Sequence, residues 1–181
     1  EALRQGVPSD GGLFVPQTIP QVDRDWVLSL AEKPYYQAAA QVLDLYLTDF
    51  SKDELTAVCH EVFSEDNFGE NPAFVEQLNP YNDDLYLLRL DTGPTASIKD
   101  YSMLLVPPLL TLAKKNTKDN MQQLLLTATT GSAGIAALST LADKEDFAVM
   151  AFFASTGEPL GSEQHLKPGC GSNCFRSEER R

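Results

Sequence analysis

A strand, a glycine-containing turn, a helix and a second strand follow one another in the second half of the sequence. The apolar run from Gln122 to Thr127 is typical of a strand inside a parallel sheet. A turn follows through Gly134, then an apolar helix to about Leu141, a short acidic loop and a strand from Phe147 to Phe153. This order is a βαβ unit, whose two strands lie parallel. It predicts an α/β fold with a parallel, doubly wound sheet.

The first half of the chain has a different pattern, in which helical spacing of apolar residues dominates. Ser51 followed by Glu54 is a capping-box pattern at the start of one such helix. The patterns predict helices near 1–6, 23–30, 35–47 and 52–63, a strand at 13–16, one helical turn at 74–78, a strand at 84–90, and a helix from 98 that Pro107 and Pro108 kink or split. We divide the chain into a mostly helical region at 1–83, part of an α/β domain at 84–156 and an irregular tail at 157–181. The tail has either a disordered sequence or a truncated or out-of-frame one.

Composition limits the classes of binding partner that the chain can have. The net charge of -12 disfavours nucleic acid and anionic membrane surfaces. No apolar run approaches the roughly 18 residues of a membrane span, so we expect a cytoplasmic protein. Three cysteines, Cys59, Cys170 and Cys174, form no disulfide framework, and we expect reduced thiols. His165 with the last two cysteines offers at most three ligands at unusual spacing, and we predict no metal site.

One lysine stands behind a Gly-Pro turn in the stretch from Asp91 to Tyr101, D-T-G-P-T-A-S-I-K-D-Y. Ser97 and Asp100 have the spacing of a capping box, which predicts a helix that begins near Ile98. Lys99 then lies in the first turn, where the helix dipole disfavours a cation and favours the neutral amine. A neutral amine is what Schiff-base chemistry needs. The alternative is an exposed lysine on a solvated helix end.

A second candidate site is the turn of the βαβ unit, Thr127-Ala-Thr-Thr-Gly-Ser-Ala-Gly134. Its position, between a strand end and a helix N-terminus, is where α/β proteins bind anions through backbone amides. The spacing fits neither a P-loop nor the dinucleotide-binding G-x-G-x-x-G pattern. The alternative is a tight turn in which Gly134 only lets the helix pack closely against the sheet.

Taken together, three stretches resemble threonine synthase, a pyridoxal-phosphate enzyme of the fold-type-II group. Glu1-Ala-Leu-Arg-Gln-Gly6 through Asp10-Gly-Gly-Leu-Phe-Val-Pro16 resembles the family's E-A-L-x-x-G and D-G-G-L-F-V-P. Gly93-Pro-Thr95 to Lys99-Asp100 resembles H-G-P-T-L-A-F-K-D, and Thr127 to Gly134 resembles T-A-T-S-G-D-T-G. The order and spacing of the stretches also match, over about residues 1–153.

The resemblance implies a tryptophan-synthase-β-like fold and pyridoxal 5'-phosphate as cofactor. Lys99 would form the Schiff base and later carry the proton. Thr129, Thr130 and Gly131 would bind the substrate carboxylate, and Ser132 would lie near the cofactor's ring oxygen. The substrate would be a small phosphorylated amino acid, O-phospho-L-homoserine, which the full-length enzyme converts with water to L-threonine and phosphate. The cofactor's phosphate loop and ring-nitrogen partner would come from a C-terminal half that this sequence lacks.

The sequence departs from the family pattern at several positions. Ser132 is uncharged where the family has an acidic or amide residue, Thr92 replaces the histidine, and Glu158 and Pro159 follow Gly157 where a basic residue and a serine are usual. These differences keep a second hypothesis open, a lyase or deaminase that acts on another hydroxy- or phospho-amino acid. A third hypothesis is a non-catalytic scaffold or interaction protein that binds no cofactor.

Overall fold

The computed structural model describes residues 2–78, 84–118, 121–129, 131–155 and 171–180. It divides into two compact units. The first contains Glu1–Arg89 and Pro108–Lys115, and the second contains Leu90–Pro107 and Asn116–Arg181. None of the helices described is both long and apolar enough to cross a membrane.

The first unit is built mainly of helices, as the apolar spacing predicts. Helix α4 packs against α3, and the most deeply buried side chains of this unit include Leu55 and Cys59, each with 0% exposure. Tyr35 and Phe63 add an edge-to-face ring contact with centroids 4.9 Å apart. The helices are α1 (Ala2–Gln5), α2 (Arg24–Ala31), α3 (Tyr35–Asp44), α4 (Lys52–Val62) and α5 (Glu65–Phe68).

The predicted capping box of α4 is present. Ser51 Oγ accepts a hydrogen bond from Glu54 N at 3.2 Å, and Glu54 Oε2 accepts one from Ser51 N at 2.9 Å. The bond from the Ser51 amide, and after it the bond from the Ser51 hydroxyl, lower the pKa of the Glu54 carboxyl. The amides of Ser51 and Glu54 are thus bonded to side chains at the start of the same helix.

Two predictions for the first half are wrong. Residues 74–78 do not form a helical turn, since β1 (Phe74–Gln77) pairs antiparallel with β2 (Tyr86–Arg89). Glu76 and Arg89 add an ion pair across this hairpin at 3.7 Å. Residues 13–16 form no strand, and Leu13 is 83% exposed. A short apolar run becomes a strand only where another strand pairs with it.

The second unit contains the predicted βαβ arrangement. Strands β3 (Gln123–Thr129) and β4 (Phe147–Ser155) are parallel, and α8 (Ser132–Leu141) connects them. Before them come α6 (Asp100–Met103) and α7 (Val106–Thr117), so the two prolines split the predicted helix and occupy the first turn of its second part. The α/β fold with a parallel sheet is confirmed.

Helix α8 covers one face of this sheet. Leu138 and Leu141 on the helix and Val149 on β4 are each at most 2% exposed. The exposure of β3 alternates along the strand, and Leu124 and Leu126, on the opposite face, are 57% and 61% exposed. Since parallel sheets are usually covered on both faces, the side of β3 away from α8 is unusually apolar for a surface.

The prediction of an irregular tail is wrong for its last part, because β5 (Cys174–Arg180) adds a third parallel strand next to β4. The Asn173 side chain fixes the entry to β5, and its Nδ2 donates to Leu141 O at 2.8 Å and to Phe147 O at 2.9 Å. The pairing is made by backbone groups. The polar sequence of β5 lacks the alternating apolar pattern from which a strand could have been predicted. Residues 156–170, which include Glu158, His165 and Cys170, lie outside the described residues.

Candidate functional site

Lys99 lies immediately before α6, which begins at Asp100 and not near Ile98 as predicted. The chain reaches it through two successive turns, in which Ala96 N donates to Gly93 O and Asp100 N donates to Ser97 O, both at 3.0 Å. Ala96 has a positive φ of 53°, which an alanine adopts only where its surroundings hold it. The segment before Lys99 is therefore a fixed turn.

Asp100 binds this turn through its side chain. Its side chain is 1% exposed, and Oδ2 accepts hydrogen bonds from Thr95 N at 2.9 Å and from Ser97 N at 3.4 Å. Oδ1 accepts a bond from the Thr95 hydroxyl at 2.6 Å. Only half of the predicted capping box forms, because the Ser97 hydroxyl accepts from Lys99 N at 3.2 Å and not from Asp100 N. This anchoring role of Asp100 was not predicted from the sequence.

Gly93 explains how the turn comes so close to Asp100. A Cβ at Gly93 would lie 2.6 Å from both Asp100 Cβ and Asp100 Oδ2, a distance that no side chain tolerates. Glycine is needed here because the backbone passes against another residue. The Gly-Pro of the motif could have pointed to this contact, since a glycine often marks a close approach.

The Lys99 side chain points its amine outward. The residue is exposed, and its Nζ has neither a hydrogen bond nor an ion pair to any residue that the structure describes. Because α6 has only four residues, its dipole acts on Lys99 less than the sequence predicts for a longer helix. What remains is an accessible primary amine on a fixed backbone.

Thr129, at the end of β3, caps α8. Its hydroxyl oxygen accepts hydrogen bonds from Gly131 N at 3.1 Å and from Gly134 N at 3.2 Å. The Thr129 oxygen is thus occupied by the protein's own backbone, while its O–H remains available as a donor. Thr130, the next predicted site residue, lies outside the described residues.

The start of α8 has two amides that no described residue binds. Ser132 N and Ala133 N have no hydrogen-bond partner among the described residues, and the first turn of α8 contains no acidic side chain. Exposed amides at a helix N-terminus attract an anion such as a carboxylate. Ser132 itself is exposed, so its hydroxyl is also accessible.

The predicted residues lie around two neighbouring helices. Helix α6, which follows Lys99, packs against α8, which Ser132 begins. An exposed amine and a free helix N-terminus suit a ligand that has a carbonyl group to react with the amine and an anionic group to bind the amides. The donor chemistry fits an aldehyde cofactor together with an amino-acid carboxylate.

Other described features do not form a site with these residues. Two open grooves, of about 480 and 580 Å³, lie in the first unit and contain no predicted site residue. Burial raises the pKa of the Cys59 thiol to about 11, so this cysteine is an unreactive core residue. Among the residues described, no three histidine, cysteine or carboxylate side chains are grouped so as to hold a metal ion.

Comparisons with known proteins agree with the motifs. The family model "Threonine synthase N terminus" matches residues 1–63. A threonine synthase of Schizosaccharomyces pombe is 31% identical over 161 residues, which are 84% of this chain and 30% of that relative. The chain thus spans about a third of the length of the curated relatives it matches.

Solved structures give the same answer for the fold. The crystal structure of threonine synthase from yeast superimposes with a TM-score of 0.81 at 26% identity, covering 98% of this chain and 36% of that one. A pyridoxal-phosphate-bound threonine synthase from Brucella melitensis has a TM-score of 0.72 at 23% identity, covering 84% and 32%. Sequence and fold together show that the chain belongs to the threonine synthase family.

Proposed function

We propose that this chain is part of a fold-type-II pyridoxal-phosphate enzyme that converts O-phospho-L-homoserine and water to L-threonine and phosphate in its full-length form. One observation carries the proposal. The motif lysine, Lys99, is an accessible amine on a fixed turn before α6, and α6 packs against α8, where Ser132 N and Ala133 N have no hydrogen-bond partner among the described residues. The family's relatives are named threonine synthases, and the chain spans about a third of their length. The whole reaction therefore belongs to the longer enzyme.

Lys99 has the cofactor role in this proposal. When bound, pyridoxal phosphate supplies a conjugated ring that stabilises negative charge next to the substrate's amino group. The Lys99 amine would hold the cofactor and then take up and return protons at the carbons next to it. Its exposure suits both tasks, since no described residue competes for Nζ. Residues 84–156 would form part of the cofactor-binding α/β domain.

The start of α8 has the substrate role. We propose that the substrate carboxylate binds the free amides of Ser132 and Ala133, with Thr130 and Gly131 beside it and the Thr129 O–H as a further donor. Thr129 has a second task here, because its oxygen keeps the glycine amides in place. The Ser132 hydroxyl would face the cofactor's ring oxygen. A helix N-terminus needs no positive side chain for this, which suits a chain with net charge -12.

A second enzyme function is favoured by Ser132. An exposed, uncharged hydroxyl holds the ring oxygen more weakly than the acidic or amide residue typical of the family. A lyase or deaminase that acts on a different hydroxy- or phospho-amino acid would tolerate this difference. The third hypothesis, a scaffold without cofactor, is what remains if Lys99 does not react.

The test is covalent trapping. A longer form of the enzyme that includes the C-terminal half is incubated with pyridoxal phosphate, reduced with borohydride, digested, and mapped by mass spectrometry. We expect the label on Lys99, with a matched Lys99→Arg variant unlabelled at that peptide. Lys52, whose side chain is 83% exposed, serves as an internal reference for nonspecific labelling.

The outcomes separate the three hypotheses. Equal labelling of Lys99 and Lys52 in a folded protein contradicts the cofactor role and leaves the scaffold. With Lys99 labelled, phosphate release is measured in the longer enzyme with O-phospho-L-homoserine and with other hydroxy- and phospho-amino acids. Release with O-phospho-L-homoserine alone supports the threonine synthase reaction, and preference for another substrate supports the lyase or deaminase.

A further inference from the structure

We propose that Asp100 is a positioning residue for Lys99, and that its buried carboxylate fixes the turn from which Lys99 presents its amine. The inference depends on the proposed function, because it matters for chemistry only if Lys99 is the reacting amine. Asp100 does not touch the reacting atoms in this proposal. It acts on Lys99 through the intervening backbone.

Both carboxylate oxygens of Asp100 bind the turn. Oδ2 accepts from two backbone amides, Thr95 N and Ser97 N, while Oδ1 accepts from the Thr95 hydroxyl. A side chain that is 1% exposed has no water to replace these donors. The carboxylate therefore gathers Thr95 and Ser97 around the start of α6.

Gly93 and Asp100 are also in close steric contact. Gly93 passes so close to Asp100 that a Cβ there would lie 2.6 Å from Asp100 Cβ. The same aspartate thus contacts the turn at its beginning and binds it at its middle. Both contacts restrict the backbone from Gly93 to Ser97.

Ser97 connects the turn to Lys99. Ser97, which Asp100 binds, in turn accepts a hydrogen bond from Lys99 N through its hydroxyl. On the other side, Lys99 O accepts from Ser102 N at 3.2 Å, Met103 N at 2.9 Å and Ser102 Oγ at 3.0 Å. The Lys99 backbone is held from both sides while its side chain is left exposed.

Two substitutions of Asp100, to asparagine and to alanine, separate hydrogen bonding from charge. In Asp100→Asn, the amide oxygen can take the place of Oδ2, and the NH₂ group can donate to the Thr95 hydroxyl, which reverses its own direction. Asparagine can therefore keep the turn in place without the negative charge. Alanine cannot, so the two variants distinguish a positioning role from an electrostatic one.

The experiment has two readouts on the same proteins. Amide hydrogen exchange of the peptide that contains residues 93–99 reports the turn without any cofactor, and reductive labelling with pyridoxal phosphate reports Lys99 relative to Lys52. In Asp100→Ala we expect amide exchange of this peptide to become faster by roughly tenfold or more, since several buried hydrogen bonds are lost. The preference for labelling Lys99 over Lys52 should fall by a similar factor. Asp100→Asn should stay within roughly threefold of wild type.

Each outcome has a defined meaning. Wild-type exchange and labelling in Asp100→Ala overturn the proposal. If Asp100→Asn loses selectivity while its exchange is normal, a charge effect replaces positioning. If Asp100→Ala does not fold, Thr95→Val removes one donor from the same carboxylate and should increase exchange by a smaller factor; no increase overturns the proposal. Should wild-type Lys99 label no faster than Lys52, the proposed function fails, and the exchange result still decides whether Asp100 orders the turn.

Discussion

Helices α4 and α8 begin in opposite ways. The first turn of α4 contains Asp53 and Glu54, and its capping box joins Ser51 to Glu54. The first turn of α8 contains no acid, and its cap comes from Thr129 on the preceding strand. Glu54 and Gly134 are each the third residue of their helix, so α4 has a carboxylate where α8 has no side chain.

The difference shows how a helix N-terminus becomes a binding site. A helix that supplies its own carboxylate neutralises its dipole and needs no ligand. In both helices the cap binds only the amides of the N-cap residue and of the third helical residue, so the difference is one of charge: Asp53 and Glu54 compensate the positive end of α4, while α8 has no carboxylate in its first turn and can attract an external anion. In α8, the amides left are those of Ser132 and Ala133.

The largest expected effect concerns the bodies of the two helices, which we expect to behave alike. Leu55 on α4 and Leu138 on α8 are 0% and 2% exposed. Each change to alanine should lower the free energy of unfolding by about 2–5 kcal/mol, because each leaves a cavity. Urea unfolding measures it, with Leu126→Ala, on the exposed face of β3, as a control that should cost less than about 0.5 kcal/mol. A small cost at Leu138 would show that α8 is poorly packed.

Thr129→Val should have the next largest effect. It removes the acceptor for Gly131 N and Gly134 N, both in buried residues, and we expect a loss of about 2 kcal/mol in the free energy of unfolding. Thr127→Val, on the same strand, is the matched control. If the two valine variants are equally stable, Thr129 is not the cap of α8.

Ser51→Ala should cost less, about 1 kcal/mol, because Glu54 stays in place and only one side-chain cap is lost. Thermal or urea unfolding gives the value, and Ser139→Ala on the exposed face of α8 serves as the control. This variant should leave Lys99 labelling unchanged. A fall in labelling would mean that the cap of α4 affects Lys99.

The smallest effect is on the pH dependence of stability. The pKa of Glu54 is lowered in the folded protein from the ordinary value of 4.5, so its contribution is present above 4.5 and is lost as the pH falls through the lower folded value. The difference in stability between wild type and Glu54→Gln should therefore shrink as the pH falls below 4.5. Unfolding midpoints between pH 3 and 7 test this, with Glu61→Gln at the other end of α4 as the control. A constant difference across that range would contradict it.

The parts of the fold that depend on neighbouring residues could be predicted from the sequence. The capping box of α4 requires only two side chains three residues apart, and the βαβ unit requires only an apolar pattern and a glycine turn. Lys99 was predicted on the same basis to lie in the first turn of a helix that begins near Ile98, but it immediately precedes α6, which begins two residues later at Asp100.

Features that depend on distant partners could not be predicted. Phe74–Gln77 is a strand because β2 pairs with it, and Cys174–Arg180 is a strand because β4 does. The role of Asp100 depends on how closely Gly93 approaches, which no spacing rule describes. The bonds from Gly131 N and Gly134 N to the Thr129 oxygen likewise depend on how β3 meets α8, while the predicted ligand contact of Thr129 stays a prediction.

Strand β3 has a consequence for any measurement on this chain in solution. It is an outer strand of the sheet formed by the described residues, and Leu124 and Leu126 on it are more than half exposed. An exposed apolar strand at a sheet edge can pair with another chain. We expect reversible self-association through β3 at high protein concentration, so that the unfolding midpoint rises with concentration.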